Sequence, residues 1–90
     1  MARSDWDESE LTLRALLADT LGLAPARIEA FHGDTLLFGA LPEFDSMAVA
    51  TLLTGLEERL AILIEDDDVE AEDFATFGAL LAFVRRKVLV

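Results

Sequence analysis

Leu13, Leu16, Leu17 and Leu21 recur at the spacing that lines one face of an α-helix, while Arg14 and Asp19 fall elsewhere. The pattern predicts a first helix from about Ser9 to Leu21. Gly22 can take the left-handed conformation that closes a helix, Leu23 can fold back on the last turn, and Pro25 opposes continuation. Ser4 and Asp7 have capping-box-like spacing, which would place the start several residues earlier.

From Ala24 to Phe44 no period is sustained, and Gly33, Gly39 and Pro42 interrupt the chain, so a long connection is expected. It is not a disordered one. Ile28, Phe31, Leu36, Leu37, Phe38, Leu41 and Phe44 are too many apolar side chains to leave in water, at roughly 1.5–3 kcal/mol for each one fully buried. Loops of this length inside a compact domain are uncommon unless functional or packed by their own side chains.

The second long helix is expected to open at Asp45 or Ser46 and to run to about Leu60. Val49, Leu52, Leu53, Leu56 and Leu60 face the core, and Met47, Ala50, Thr51, Thr54, Glu57 and Glu58 lie on the other face. Gly55 costs roughly 1 kcal/mol against alanine in mid-helix, which points to close packing there. The acidic stretch from Glu65 to Asp73 reads as a loop followed by a short helical turn ending near Phe74. Thr76 can cap a last helix with an inner face of Phe77, Leu80, Leu81, Val84 and Val88. Arg85, Arg86 and Lys87 fall in its last turn, where positive charge suits the helix dipole.

Ninety residues suit a single domain, 1–90, in which the polar residues 1–8 are expected to be a flexible N-terminal segment. Eighteen acids against seven Lys and Arg give a formal charge of -11, which repels nucleic acid phosphates and anionic lipid and favours partners with basic surfaces. Neither nucleic acid nor membrane is an expected partner. The absence of cysteine removes disulfides and thiol chemistry. Met1 to Glu10 lacks the features of a secretory signal, and the apolar runs are far shorter than the roughly 20 residues that cross a bilayer, so a cytoplasmic chain is expected. No long heptad pattern is present, and a monomer is expected.

His32 is the single histidine, with no candidate metal ligands clustered near it, so the chain does not read as an enzyme. The run Asp66-Asp67-Asp68-Val69-Glu70 invites a calcium loop. Counting from Asp66, however, the positions that need glycine and glutamate hold Ala71 and Phe77, and no metal site is assigned.

In order, the chain carries Leu21-Gly22-Leu23 closing helix one, Asp34-Thr35-Leu36 in the long loop, Asp45-Ser46-Met47 opening helix two, Leu56-Glu57-Glu58-Arg59-Leu60 closing it, the acidic segment, and Phe74 leading into Thr76-Phe77. This ordered pattern resembles the acyl carrier and peptidyl carrier protein family over nearly the whole chain. The resemblance implies an all-α fold, a small four-helix bundle with a long loop between helices one and two and a short third helix. It implies 4'-phosphopantetheine, derived from coenzyme A, attached to Ser46 and bearing acyl or aminoacyl thioesters. The implied partners are a phosphopantetheinyl transferase and acyl-activating ligase, acyltransferase or synthase enzymes. The partner-docking residues it implies are Glu43, Asp45, Met47, Ala50, Thr51, Thr54, Glu57 and Glu58. Ala48 and Thr51 stand where fatty-acid carriers are often acidic, so the expected docking face is less charged than usual. Leu41-Pro42-Glu43-Phe44-Asp45-Ser46 and the Asp66-Asp67-Asp68 segment look like stand-alone bacterial carriers associated with exopolysaccharide or exosortase-type systems. The alternative is a non-enzymatic acidic helical adapter that binds a basic protein, with Ser46 only a helix cap.

Overall fold

The side chain of Asp7 accepts the Glu10 N–H at 2.9 Å, and from that cap runs the first helix, α1, Glu8–Leu21. Gly22 closes it in the left-handed region at φ 68°, its N–H donating to the Ala18 carbonyl, as the leucine pattern and the glycine together anticipate. The computed structural model describes residues 6–89, together with the side chains of all of these except Asp66 and Leu89. Ser4 and most of the expected flexible segment 1–8 lie outside the described residues. Within that segment Trp6 is buried and Asp7 and Glu8 belong to the start of α1.

Three further α-helices follow: α2, Pro25–Glu29; α3, Ser46–Leu60; and α4, Phe77–Leu89. Between α3 and α4 lie a 3-10 turn, Asp66–Asp68, and a 3-10 helix, Ala71–Phe74, the short helical element expected before the last helix. Helix α1 packs on α3, α4 and α2, and the 3-10 helix packs on α4. Leu13, Leu17, Leu52, Leu56, Leu80 and Val84 meet at the centre with no measurable exposure. Gly55 makes the predicted close approach, since a Cβ there would stand 2.8 Å from Leu16 Cδ2.

Four expectations need correction. Helix α2 lies inside what reads as a helix-free connection; Pro25 opens it at a position where a missing N–H costs nothing, and five residues are too few to show a period. Leu36 and Phe38, expected to be buried, are 61% and 44% exposed. Val88 is exposed because it lies at the open end of the bundle, beside a hollow shared with Leu60, Ile62 and Leu63, and the unpredicted Phe83 is buried instead. Arg14, which the leucine pattern sets apart from the core face, is buried. Its Nε and Nη2 both donate to Glu10 Oε2 at 3.0 and 2.7 Å, and Nη1 and Nη2 donate to the carbonyls of Ile28 and Phe31 at 2.7 and 3.1 Å.

The basic residues of α4 do more than oppose a dipole. Arg85 pairs with Asp7 and Glu10, Arg86 with Asp73, and Lys87 with Asp68 at 2.8 Å. Two of these pairs hold the acidic 65–73 segment, whose own like charges would otherwise push it off the bundle. The long loop is held as well, by backbone bonds to the chain entering α4. Leu37 N–H donates to the Ala75 carbonyl, Phe38 to Phe74, Phe77 to Thr35 and Gly78 to Gly33, all at 2.9–3.0 Å. An isolated antiparallel bridge, Leu36 to Thr76, lies among them; no strand occurs among the described residues.

Candidate functional site

Asp45, extended at φ -98° and ψ -174°, accepts the Ala48 N–H on Oδ1 at 2.9 Å and is the N-cap of α3. Ser46 is therefore the first residue inside the helix, which corrects the reading of Ser46 as a helix cap. Its side chain is exposed, and among the described residues it makes no hydrogen bond. The first turn of α3 carries no acid, unlike that of α1 with Glu8 and Glu10. The Asp45 carboxylate takes up the Ala48 N–H, and the other first-turn N–H groups beside the hydroxyl favour an anion there.

One wall beside Ser46 is apolar. Phe38, Val49, Ala71 and Phe74 line a cleft of about 170 Å³ together with Ser46 itself. Phe74 is buried and Phe38 half-exposed, and both rings meet the buried Phe44 edge-on, with centroids 6.2 and 6.1 Å away. The bond from Phe38 N–H to the Phe74 carbonyl fixes the loop side of this cleft against the 3-10 helix. These lining residues come from three separate segments. Their meeting was not readable from helical periodicity, because the pairing of residues 33–38 with residues 74–78 has no local pattern.

The expected docking residues divide into two groups. Met47, Ala50, Thr51, Thr54 and Glu58 are exposed on α3, and Met47 is the most exposed large apolar side chain described, at 79%. Ala50, Thr51, Thr54 and Glu58 also line a broader groove of about 490 Å³ between α1 and α3. Three of the acids are engaged within the chain. Asp45 caps α3, Glu43 lies 3.7 Å from Arg27, and Glu57 Oε2 accepts the Ile64 N–H at 2.8 Å, tying down the chain that leaves the helix. Ala48, at a position often acidic in fatty-acid carriers, points inward and is buried. His32 is exposed and its Nδ1 accepts the Asp34 N–H at 3.2 Å, a local turn bond.

Among solved structures, the chain is similar to a holo acyl carrier protein from Nitrosomonas europaea, determined by solution NMR. The two share 35% sequence identity with a TM-score of 0.80 over 94% of this chain and 100% of the other. The chain belongs to the acyl carrier protein family. No family model matches it, and no curated protein does. Among the described residues its all-α architecture, with four α-helices of which one is short, is the acyl carrier protein fold, and that fold is one of a carrier rather than a catalyst. No helix among the described residues is long and apolar enough to cross a membrane.

Proposed function

We propose that this acyl carrier protein bears 4'-phosphopantetheine on Ser46 and presents acyl or aminoacyl thioesters to successive enzymes. The observation that carries the reading is the state of Ser46 itself: an exposed hydroxyl at the start of α3, with capping done by Asp45. The surroundings fit the group, with helix N–H groups for a phosphodiester and an apolar cleft beside it. In attachment, Ser46 Oγ forms the new bond to the pantetheine-bearing phosphorus of coenzyme A and loses its proton to a base on the transferase. The pyrophosphate bond breaks and adenosine 3',5'-bisphosphate leaves. When bound, the arm supplies a thiol that holds the cargo as a thioester.

The rest of the chain positions that serine and presents it. Asp45 fixes the register of the first turn, Ala48 anchors it in the core, and Met47, Ala50, Thr51, Thr54 and Glu58 form the face offered to a phosphopantetheinyl transferase and then to ligase, acyltransferase or synthase partners. With Glu43 and Glu57 engaged internally, this face relies on apolar contact, led by the adaptable Met47 side chain, more than on acids. Intact mass after incubation with coenzyme A and a broad-specificity phosphopantetheinyl transferase tests the reading. One phosphopantetheine is expected on the wild type and none on Ser46→Ala. A folded wild-type chain that gains no mass would refute it.

A further inference from the structure

Trp6 is 8% exposed, yet its Nε1–H has no acceptor among the described residues. Buried donors are nearly always matched in a folded chain, so an unmatched one asks for an explanation. What holds the ring is stacking, with the Arg14 guanidinium carbon 3.9 Å from its centroid. Arg14 leaves a donor over as well. Its Nη1 makes a single bond, to the Ile28 carbonyl, although this nitrogen carries two hydrogens. Two unspent donors therefore lie in one cluster beside α2.

Trp6 and Arg14 both line a hollow of about 300 Å³ between α1 and α2, where Leu11, Ala15, Pro25 and Ile28 supply apolar wall. Leu11 is 46% exposed, so the chain itself leaves part of that wall uncovered. We infer that this hollow is a docking site separate from the α3 face, and that it takes a leucine-sized side chain of a partner protein with the main-chain carbonyls on either side of it. Each requirement comes from the hollow. The walls suit an alkyl group, and the volume is that of a small ligand pocket, enough for one side chain and its flanking peptide groups. Two unspent donors suit two acceptors, which successive peptide carbonyls provide; an alkyl chain ending in one carbonyl would leave a donor unmatched. Asp19 and Glu29 border the hollow and the chain carries a charge of -11, so the acceptors must be neutral. Trp6 lies outside α1, one residue before the Asp7 cap, and its ring can turn toward an entering carbonyl without breaking a helix bond. The bond it gains relieves the unpaired burial. No residue of α3 lines the hollow, so it can be filled while Ser46 is in use.

Trp6 is the single tryptophan, and its indole gives one N–H peak in a proton–nitrogen NMR spectrum of the full chain. The probe is N-acetyl-leucinamide, a leucine side chain between two neutral carbonyls. The indole proton is expected to move downfield and saturate, with a dissociation constant on the order of millimolar, as ligand efficiency sets for a probe of this size. Ala15→Leu, at an exposed position of α1, fills the hollow and should abolish the shift, while Ser46→Ala should bind the probe as the wild type does, which keeps this site separate from loading. No saturable indole shift, or a shift that survives Ala15→Leu, would overturn the site. N-acetyl-leucine, which ends in a carboxylate, should bind more weakly, and equal binding would overturn the neutral acceptors. Hexanamide, with one carbonyl, should bind more weakly too; tighter binding would overturn the protein partner in favour of a free acyl amide. An indole shift that follows protein concentration with no probe present would name a second copy as the occupant, and probe binding that appears only when residues 1–5 are removed would name the chain's own N-terminus; either would overturn the partner assignment.

Discussion

Arg14 and Ser46 are the two polar side chains that most clearly define opposite environments in this molecule. Arg14 is 7% exposed, and its guanidinium donates four hydrogen bonds and lies over the rings of Trp6 and Phe77, its central carbon 3.9 and 4.4 Å from their centroids. Ser46 is exposed, makes no side-chain bond among the described residues, and stands at a cleft lined by Phe38 and Phe74, whose rings both meet Phe44. Both sites are built on clusters of aromatic rings. A polar group with four of its five N–H donors matched inside such a cluster holds elements together, here α1 to the end of α2 and to the loop at Phe31. A polar group left unmatched at the edge of one is free to be used by something else.

Removing the guanidinium should show the largest effect on the fold. Arg14→Met would leave the Glu10 carboxylate buried, with the exposed Arg85 at 3.4 Å as its remaining partner, the Phe31 carbonyl without its guanidinium donor and the Ile28 carbonyl with only the Phe31 N–H. A loss of about 3–5 kcal/mol in denaturant unfolding is expected. A loss below about 1 kcal/mol would show that the Arg14 cluster is not the clamp described here.

Next in size is Gly78→Ala, whose new Cβ would stand 2.7 Å from the Gly33 carbonyl oxygen. Backbone cannot swing aside as the Leu16 side chain can at Gly55, so about 1–3 kcal/mol should be lost. Hydrogen exchange should also quicken at Leu37 and Phe38, whose N–H groups lie in the same set of loop bonds. Unchanged exchange there would separate the loop clamp from the cleft wall.

Smaller still is the contrast within one dipeptide. Asp45→Ala removes the α3 cap and should cost about 1 kcal/mol. Ser46→Ala should cost less than about 0.5 kcal/mol, because its hydroxyl holds nothing. Equal costs would contradict the division of labour between them.

The mildest effect is that of acid. Asp7 is held below the ordinary 3.8 chiefly by the Glu10 N–H, with help from Arg85, and Asp68 chiefly by Lys87, then by the Glu65 N–H. Because the folded values are the lower ones, the unfolded chain binds more protons as pH falls through this range. The stabilisation is therefore complete above about pH 5 and is lost progressively below about pH 4. Thermal unfolding from pH 7 to 3 should show a plateau and then a fall, shallower in Asp68→Asn. A midpoint rising below pH 4 would contradict the assignment.

How far the sequence alone reached follows the same division. The helices α1, α3 and α4 announce themselves because their leucines and valines repeat with the helical period over three turns or more. Ser46 could be singled out because Asp, Ser and Met stand together at a helix start within an ordered family pattern. Arg14 was misplaced because its partners are two backbone carbonyls at 28 and 31 and a ring at 77, none of which leaves a mark in the periodicity of α1. The cleft was missed for the same reason. Phe38, Val49 and Phe74 meet only after two loops are zipped by backbone bonds that any residue type except proline could make. Glu57 shows the limit in a single residue: its place on the outer face of α3 is legible, while its bond to the Ile64 N–H depends on the turn that follows.

The central claim is that the unmatched hydroxyl of Ser46 is the one modified. The chain contains three serines, at positions 4, 9 and 46, and the fragment between Arg27 and Arg59 contains only the last of them. Peptide mapping of the transferase-treated protein by tandem mass spectrometry should place a single phosphopantetheine on Ser46 in that fragment, with the one fragment that carries Ser4 and Ser9 unmodified; attachment at either of those serines, or a folded chain with no modified peptide, would contradict the account.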